Sequence, residues 1–382
     1  MMKKYFSILS LLIFVFSVAQ IPAGYYNSAT GSGYTLKTQL HNIIKNSHNP
    51  QAYNSIWPLY TQAAFRDNYY ENNGSLLDMY SERPDGLDAY EYTNTSQQCG
   101  NVNAEGTCYN REHLFPQSMY NDEVPMRADV HHVVPSDGKV NGWRDNLPFG
   151  VVDSQTTNPC NAGATNTPCH STNGSKKGNN LNSGYSAGYS GTVFEPIDAF
   201  KGDIARAILY FATRYEDQIV SFYNANSSDF KESMNGSSNQ VFTNTFLNIL
   251  IKWHLQDPVS AKEIAINNAV YNHQDNRNPF IDTPGYVCQI WPTQCQALGT
   301  SSVMVDWETK VYPNPSSDKI IHIASNFELN EIMVFNMNGQ ALMQKAVDSN
   351  QLTLDLNHLS AGVYILKMQT ADQIAYKKLV LN

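Results

Sequence analysis

Glu112, His113 and Asn141 share one window, Arg111–Gly150, with His131, His132, Arg111, Arg127 and Arg144. Hydrolysis of a phosphodiester with one metal ion needs a base to deprotonate water, oxygen ligands for the metal and a cation over the non-bridging oxygens. The window can fill all three roles. Because Glu112 and His113 are neighbours, an extended strand would point them to opposite faces, so both reach one site only where the strand ends, twists or bulges. Pro116 gives the strand a reason to stop. Asn141 lies in a segment that Ser136 or Asp137 can cap as a helix. A helix crossing back over two strands would bring its amide oxygen to the Glu112 carboxylate, a ββα arrangement. Mg²⁺, with Ca²⁺ or Mn²⁺ as alternates, suits such a site because the open positions stay with water and substrate phosphate. Zinc is disfavoured, since only one of the three histidines adjoins a carboxylate.

A lone histidine is more often a packing residue than a base, but the adjacent Glu112 turns that expectation around for His113. His131 and His132 are expected to bury a ring and support the site by hydrogen bonding, with Asp129 as a cap or an acceptor beside them. Arg206, Arg277 and Asn278 either reach a nucleic acid or fix the fold, and they are carried forward as nucleic-acid contacts. Trp143 and Trp253 read as packing residues.

The elements around the window follow from periodicity. Residues 35–45 place Leu36, Leu40, Ile43 and Ile44 on one helical face after a turn at Gly31–Tyr34. Residues 74–109 mix short apolar pieces with Pro84 and Gly86 and read as strands and loops. The segment 154–191 is rich in Asn, Ser, Thr and Gly and reads as a long surface excursion. Helices then dominate. Ala205, Ile208, Leu209 and Ala212 share one face with Asp203 as N-cap; Phe246, Ile249, Leu250 and Trp253 form the next; Ser260 with Glu263 opens a third as a capping box. After a polar bridge at 301–309, short alternating runs with Asn338–Gly339 between two of them predict a small β-sandwich over 310–382. That tail carries six Lys against six acids and neither Cys nor Arg. The fold class is therefore α+β: a mainly helical domain over 20–300 with a central ββα-metal motif, then an all-β domain.

Residues 1–19 read as a secretory signal, with Lys3 and Lys4, an apolar run from Tyr5 to Val18 and a small-x-small end before Gln20. A membrane anchor would need roughly twenty continuous apolar residues. The six cysteines fall into near neighbours, Cys99 with Cys108, Cys160 with Cys169 and Cys288 with Cys295. Local disulfides are the plain reading in an oxidising compartment. Charge speaks against a nucleic-acid partner: Gln20–Glu308 holds 17 Lys plus Arg against 28 Asp plus Glu, whereas a protein that neutralises phosphates should be basic. Bound cations and a local Arg cluster must then supply the positive field.

The blocks YNREHLFPQS and RADVHHVVPSDGKVNGWRDNLPFG resemble the endonuclease I family of periplasmic and secreted nucleases, members of the ββα-metal, His-Me-finger group. LLDMYSERPDG, FEPIDAFKGDIARAILYFATRY and LIKWHLQDPVSAKEIAINNAVYNHQDNRNPFID agree in order, so the resemblance spans roughly 35–285. It implies His113 as general base, Glu112 and Asn141 as magnesium ligands, Arg127 or Arg144 as phosphate clamp, and DNA, with RNA, cut to 5′-phosphate and 3′-hydroxyl ends. The tail, with Tyr312-Pro313-Asn314-Pro315, VFNMNGQALMQ and LSAGVYILKM, resembles the C-terminal sorting domain of the type IX secretion system. It implies passage through the periplasm to the surface or medium. A monomer is the expected state. Two rivals remain: a secreted adhesin or binding module that has lost activity, and a zinc hydrolase using His113, His131 and His132.

Overall fold

The computed structural model describes residues 21–93, 95–100, 102–153, 158–160, 168–225, 227–298, 309–336, 341–369 and 374–382. The expected signal at 1–19, the polar bridge up to residue 308 and the Asn338–Gly339 turn lie outside the described residues. The chain divides into two compact units, Met1–Ser301 and Ser302–Asn382.

The first unit holds ten helices among the described residues: α1 (Gly33–Ser47), α2 (Ile56–Leu59), α3 (Gly138–Arg144), α4 (Lys201–Arg214), α5 (Ile219–Ala225), α6 (Asn244–Gln256), α7 (Ala261–Gln274), α8 (Pro279–Asp282), α9 (Tyr286–Ile290) and α10 (Pro292–Ala297). Its strands are β1 (Tyr109–His113), β2 (Val133–Asp137), β3 (Cys169–His170), β4 (Lys176–Asn179) and β5 (Thr192–Glu195). It is thus mixed α and β. Helix α4 is its centre. Instead of a single apolar stripe, α4 is buried on nearly every side, Ile204, Ala205, Ile208, Leu209, Tyr210, Phe211 and Ala212 all lying in the core. A helix apolar all round belongs inside, and α1, α6 and α8 pack on it. Its start differs from the expected Asp203 cap. The N-cap is Phe200, because the Gly202 amide donates to Asp257 Oδ2 at 2.8 Å, and Asp203 instead pairs with Lys262 and Arg206. The capping box of Ser260 and Glu263 at α7 is present as expected.

Burial also moves three residues away from nucleic acid. Arg206 is 0% exposed and holds Glu263 with Nε and Nη2 at 2.5 and 2.7 Å. Arg277 grips Asp282 and Asn268 from the interior. Asn278 caps α8 through the Phe280 amide and donates to the Arg206 carbonyl. All three are 0–1% exposed, so their side chains serve the fold rather than present themselves to a phosphate. Sequence spacing could not separate a buried arginine from a surface one here.

The excursion after residue 154 is more ordered than its composition implies: β3, β4 and β5 form an antiparallel sheet. The three cysteine pairs are bonded, Cys99–Cys108, Cys160–Cys169 and Cys288–Cys295. No helix among the described residues is long and apolar enough to cross a membrane.

The second unit is all β: β6 (Thr309–Tyr312), β7 (Ile320–Asn336), β8 (Ala341–Asp355), β9 (Gly362–Gln369) and β10 (Ile374–Leu381). Hydrogen bonds join all five strands in one antiparallel sheet rather than two separate ones. The reason is the length of β7, which pairs β8 along one edge and β6 and then β9 along the other. A bulge between Leu329 and Glu331 shifts the alternation, so Ile321, Ile323 and Leu329 and then Ile332 and Val334 enter the same core.

Candidate active site

Strands β1 and β2 pair antiparallel with Glu112 opposite Val134 and His113 opposite Val133. Asp137 closes β2 and starts α3 in one residue, its Oδ1 accepting the Lys139 and Val140 amides at 2.7 and 2.8 Å. Of the two capping candidates, Asp137 takes the role. Its second oxygen accepts from Tyr92 Oη at 2.5 Å and the Gly106 amide at 2.8 Å. Helix α3 begins against the Cys99–Cys108 bridge. A Cβ on Gly138 would meet Cys99 Sγ at 3.1 Å and the Cys108 carbonyl at 3.3 Å, so the close approach needs a residue without one. The Gly138 amide donates to the Cys108 carbonyl at 2.9 Å, so the start of α3 is held against the cross-linked residue that precedes β1.

Glu112, His113, Arg127, Asn141 and Arg144 line one cleft of about 530 Å³, together with Asn110, Arg111, Tyr53 and Trp57. Glu112 is 2% exposed. Its Oε1 accepts from Tyr80 Oη at 3.0 Å and from Arg144 Nη1 at 3.2 Å. Burial raises the Glu112 pKa, and the Arg144 guanidinium opposes that rise. Arg144 also donates to the carbonyls of His113 at 3.0 Å and Leu114 at 2.7 Å. With those two donations, the ion pair to Glu112 and 1% exposure, Arg144 fastens Glu112 and the end of β1.

His113 Nε2 donates to the Arg127 carbonyl at 3.1 Å. A carbonyl only accepts, so the proton of the neutral ring sits on Nε2 and Nδ1 keeps its lone pair. Burial, with the nearby His132 and arginines, pulls the His113 pKa down to about 3, so the ring is neutral at physiological pH. On α3, Asn141 Nδ2 donates to Asn110 Oδ1 at 2.7 Å, which leaves the amide oxygen for the cleft. Asn110 Oδ1 also accepts from Ser136 Oγ at 3.2 Å. One carboxylate and one amide oxygen are hard donors of the kind magnesium takes.

The arginines now differ. Arg127 stands with its guanidinium 4.4 Å from the Tyr53 ring centre; its buried Nε, like that of Arg144, has no partner. Arg111 stacks between Tyr53 at 3.4 Å and Trp57 at 4.2 Å and donates to the Tyr53 carbonyl; burial lowers its pKa. Among the described residues no carboxylate forms an ion pair with either. Both are cleft-lining cations without an acid partner in an otherwise acidic chain.

Asp129, His131 and His132 lie behind the cleft. Asp129 Oδ2 accepts from Tyr210 and Tyr215 at 2.9 Å each, and Oδ1 from Gln274 Nε2 at 2.7 Å. Burial alone would raise this carboxyl, but His48, His131, His132 and the Gln274 amide together hold it below the usual carboxylate range. Burial brings both His131 and His132 down to about 4. His131 Nε2 donates to the Asn276 carbonyl and His132 Nε2 to that of Met126. His113, His131 and His132 do not gather as three ligands; the one such group among the described residues is Asp67, Glu71 and Glu82. Sequence spacing gave no sign of Tyr80 and Tyr53, which come from chain far from the window, or of Asn110, which adjoins it on β1 but shows its role only once Asn141 is placed opposite. Tyr80 does sit in LLDMYSERPDG, one of the collinear blocks.

Residues 32–285 match the endonuclease I family profile, and residues 310–382 match the secretion system C-terminal sorting domain. An extracellular ribonuclease of Bacillus amyloliquefaciens is 31% identical over 271 residues, covering 70% of this chain and 78% of the relative. An extracellular ribonuclease of Bacillus subtilis is 30% identical over 272 residues, with the same 70% and 78% coverage.

Proposed function

The chain belongs to the endonuclease I family and ends in a type IX sorting domain, and from that premise we propose that it is a secreted, magnesium-dependent, non-specific endonuclease acting on DNA and RNA. It is a nuclease, a phosphodiester hydrolase, destined for the medium or the cell surface. The periplasm is its route, and β1, β2 and α3 act as its ββα-metal core. The observation that carries the reading is the joint placement of Glu112, His113 and Asn141 on one cleft beside Arg127 and Arg111.

Glu112 and Asn141 would hold Mg²⁺ through their oxygens; when bound, the ion supplies positive charge for the departing 3′ oxygen. His113 Nδ1 accepts a proton from water, the resulting hydroxide attacks phosphorus, and the P–O3′ bond breaks. A 5′-phosphate and a 3′-hydroxyl remain once the 3′ oxygen takes a proton from solvent. The Arg127 carbonyl keeps the imidazole in the correct tautomer, and the Arg127 guanidinium bears on the non-bridging oxygens. Arg144 keeps Glu112 ionised and in place, and Asp129, His131 and His132 brace the loop between β1 and β2. Burial of the site lets these few charges act in a protein whose net charge is −9.

The names of the two relatives, both extracellular ribonucleases, support an RNA substrate. Supercoiled plasmid and transfer RNA, each incubated with EDTA or with Mg²⁺, test the proposal. Cleavage of both with Mg²⁺ and of neither with EDTA is expected. Cleavage that persists in EDTA, or none under any condition, would overturn it.

A further inference from the structure

Away from the cleft, the stretch between residues 67 and 88 gathers acids with no cation to answer them. Asp67, Glu71 and Glu82 each present a carboxylate oxygen within 4.8 Å of the others. Among the described residues no Lys, Arg or His forms an ion pair with any of the three, or with Asp88. Crowding of this kind is tolerable on a surface, where water screens it. Here it is not on the surface. Glu82 is 1% exposed, yet its Oε1 has no hydrogen-bond partner, and neither has the buried Oε2 of Glu71. A buried carboxylate oxygen left without a donor is costly and calls for an explanation. Burial and the charges of Asp88, Glu71 and Asp67 push the Glu82 carboxyl up to about 8, and Asp88 rises to about 6 mainly through burial.

We propose that Asp67, Glu71 and Glu82 bind a calcium ion, at a site separate from Glu112 and Asn141. The donor set is all oxygen and all carboxylate, which suits a hard divalent cation. Three carboxylate oxygens that all lie within 4.8 Å of one another can meet a single ion, whose oxygen ligands stand about 2.4 Å from calcium. Magnesium takes a tighter and more regular octahedron at about 2.1 Å, which a site on an irregular loop is poorly built to provide. Asp67 is already oriented: its Oδ1 accepts the Tyr69 and Tyr70 amides at 3.0 and 2.9 Å. The ion would tie Asp67 and Glu71 to Glu82, two residues beyond the Tyr80 that donates to Glu112. It would fasten the segment that orients the catalytic carboxylate while contributing nothing to the cleft itself.

The test follows thermal unfolding of the full secreted chain, stripped with EDTA and desalted, as CaCl₂ or MgCl₂ is added. Wild type, Glu82→Gln, Glu71→Gln and Glu112→Gln are compared, and retained calcium is measured by atomic emission after dialysis. In wild type, Ca²⁺ about 100-fold above its dissociation constant should raise Tm by about 5 °C, with a smaller rise from Mg²⁺. Glu112→Gln should keep that rise and one retained calcium. Glu82→Gln and Glu71→Gln should lose both, while unfolding in EDTA at or above the wild-type temperature because an amide relieves the crowding of acids. The proposal is overturned if wild type shows no calcium response, if the rise survives in Glu82→Gln and Glu71→Gln, or if Glu112→Gln abolishes it. The glutamate-free response would mean the acids share protons only, and loss in Glu112→Gln would mean the calcium binds at the catalytic cleft.

Discussion

Arg144 and Arg127 are interchangeable candidates in the sequence and opposites in the structure, and replacing each by Met separates them. Arg144→Met keeps most of the aliphatic stem but removes the donations to Glu112 Oε1 at 3.2 Å and to the His113 and Leu114 carbonyls at 3.0 and 2.7 Å. Deleting one partner of a buried ion pair costs about 3–5 kcal/mol, because the other charge is left without compensation. The two orphaned carbonyls push the loss toward the upper end. At about 2–4 °C per kcal/mol for a domain of this size, Tm should fall by about 6–20 °C. Arg127→Met gives up only its contact with the Tyr53 ring and has no acid partner to strand, so Tm should move by no more than about 3 °C. Its kcat/KM should instead fall about 10²–10³-fold, the scale for one charge-stabilising donor. Calorimetry and plasmid nicking at fixed Mg²⁺ read the two effects. If Arg144→Met keeps its Tm and loses cleavage while Arg127→Met cleaves normally, the two roles are reversed and the reasoning from burial fails.

Three further outcomes follow from the same geometry. Tyr80→Phe and Asn110→Ala remove the groups that orient Glu112 and Asn141, so the Mg²⁺ concentration for half-maximal cleavage should rise about 10–100-fold with little change in rate at saturating Mg²⁺. His131 and His132 have folded pKa values lowered to about 4 against about 6.5 unfolded; the unfolded chain binds the extra protons, so stability is full above pH 6.5 and falls as pH drops toward 4. Each contributes up to about 1.4 kcal/mol per pH unit in that window, and His131→Gln should make the Tm-against-pH curve measurably shallower there. The paired Cys99→Ser, Cys108→Ser variant opens a loop whose ends are nine residues apart, which should cost about 2–3 kcal/mol; an unchanged denaturation midpoint would remove the cross-link from the list of what holds α3 against β1.

Much of the site was legible because its residues are close in sequence. Glu112, His113, the Asp137 cap and Asn141 follow one another through a strand, a strand and a helix, and local rules of strand and cap apply to each. The strand end that lets adjacent Glu112 and His113 serve one cleft was also foreseeable from Pro116. What escaped depends on distant chain. Tyr80 and Tyr53 reach the cleft from loops without periodicity, and Asn110 looks like any strand residue until Asn141 is placed opposite. Arg206, Arg277 and Asn278 misled for a related reason: helical spacing locates Arg206 on a face of α4, but that helix is buried on nearly every side, and Arg277 and Asn278 are held inside by Asp282 and the cap of α8. The sheet of β3, β4 and β5 was hidden by a composition of Asn, Ser, Thr and Gly that strands rarely show. The acidic balance, which argued against a nucleic-acid partner, is answered locally by Arg111 and Arg127, whose charges no acid neutralises among the described residues.

If His113 Nδ1 is the base, its loss shows in the cleavage of supercoiled plasmid by His113→Ala at saturating Mg²⁺. The rate should fall by about 10²–10⁴-fold, with Tm and DNA retardation in Ca²⁺ near wild type. A His113→Ala enzyme that nicks plasmid within a few-fold of the wild-type rate would contradict the account.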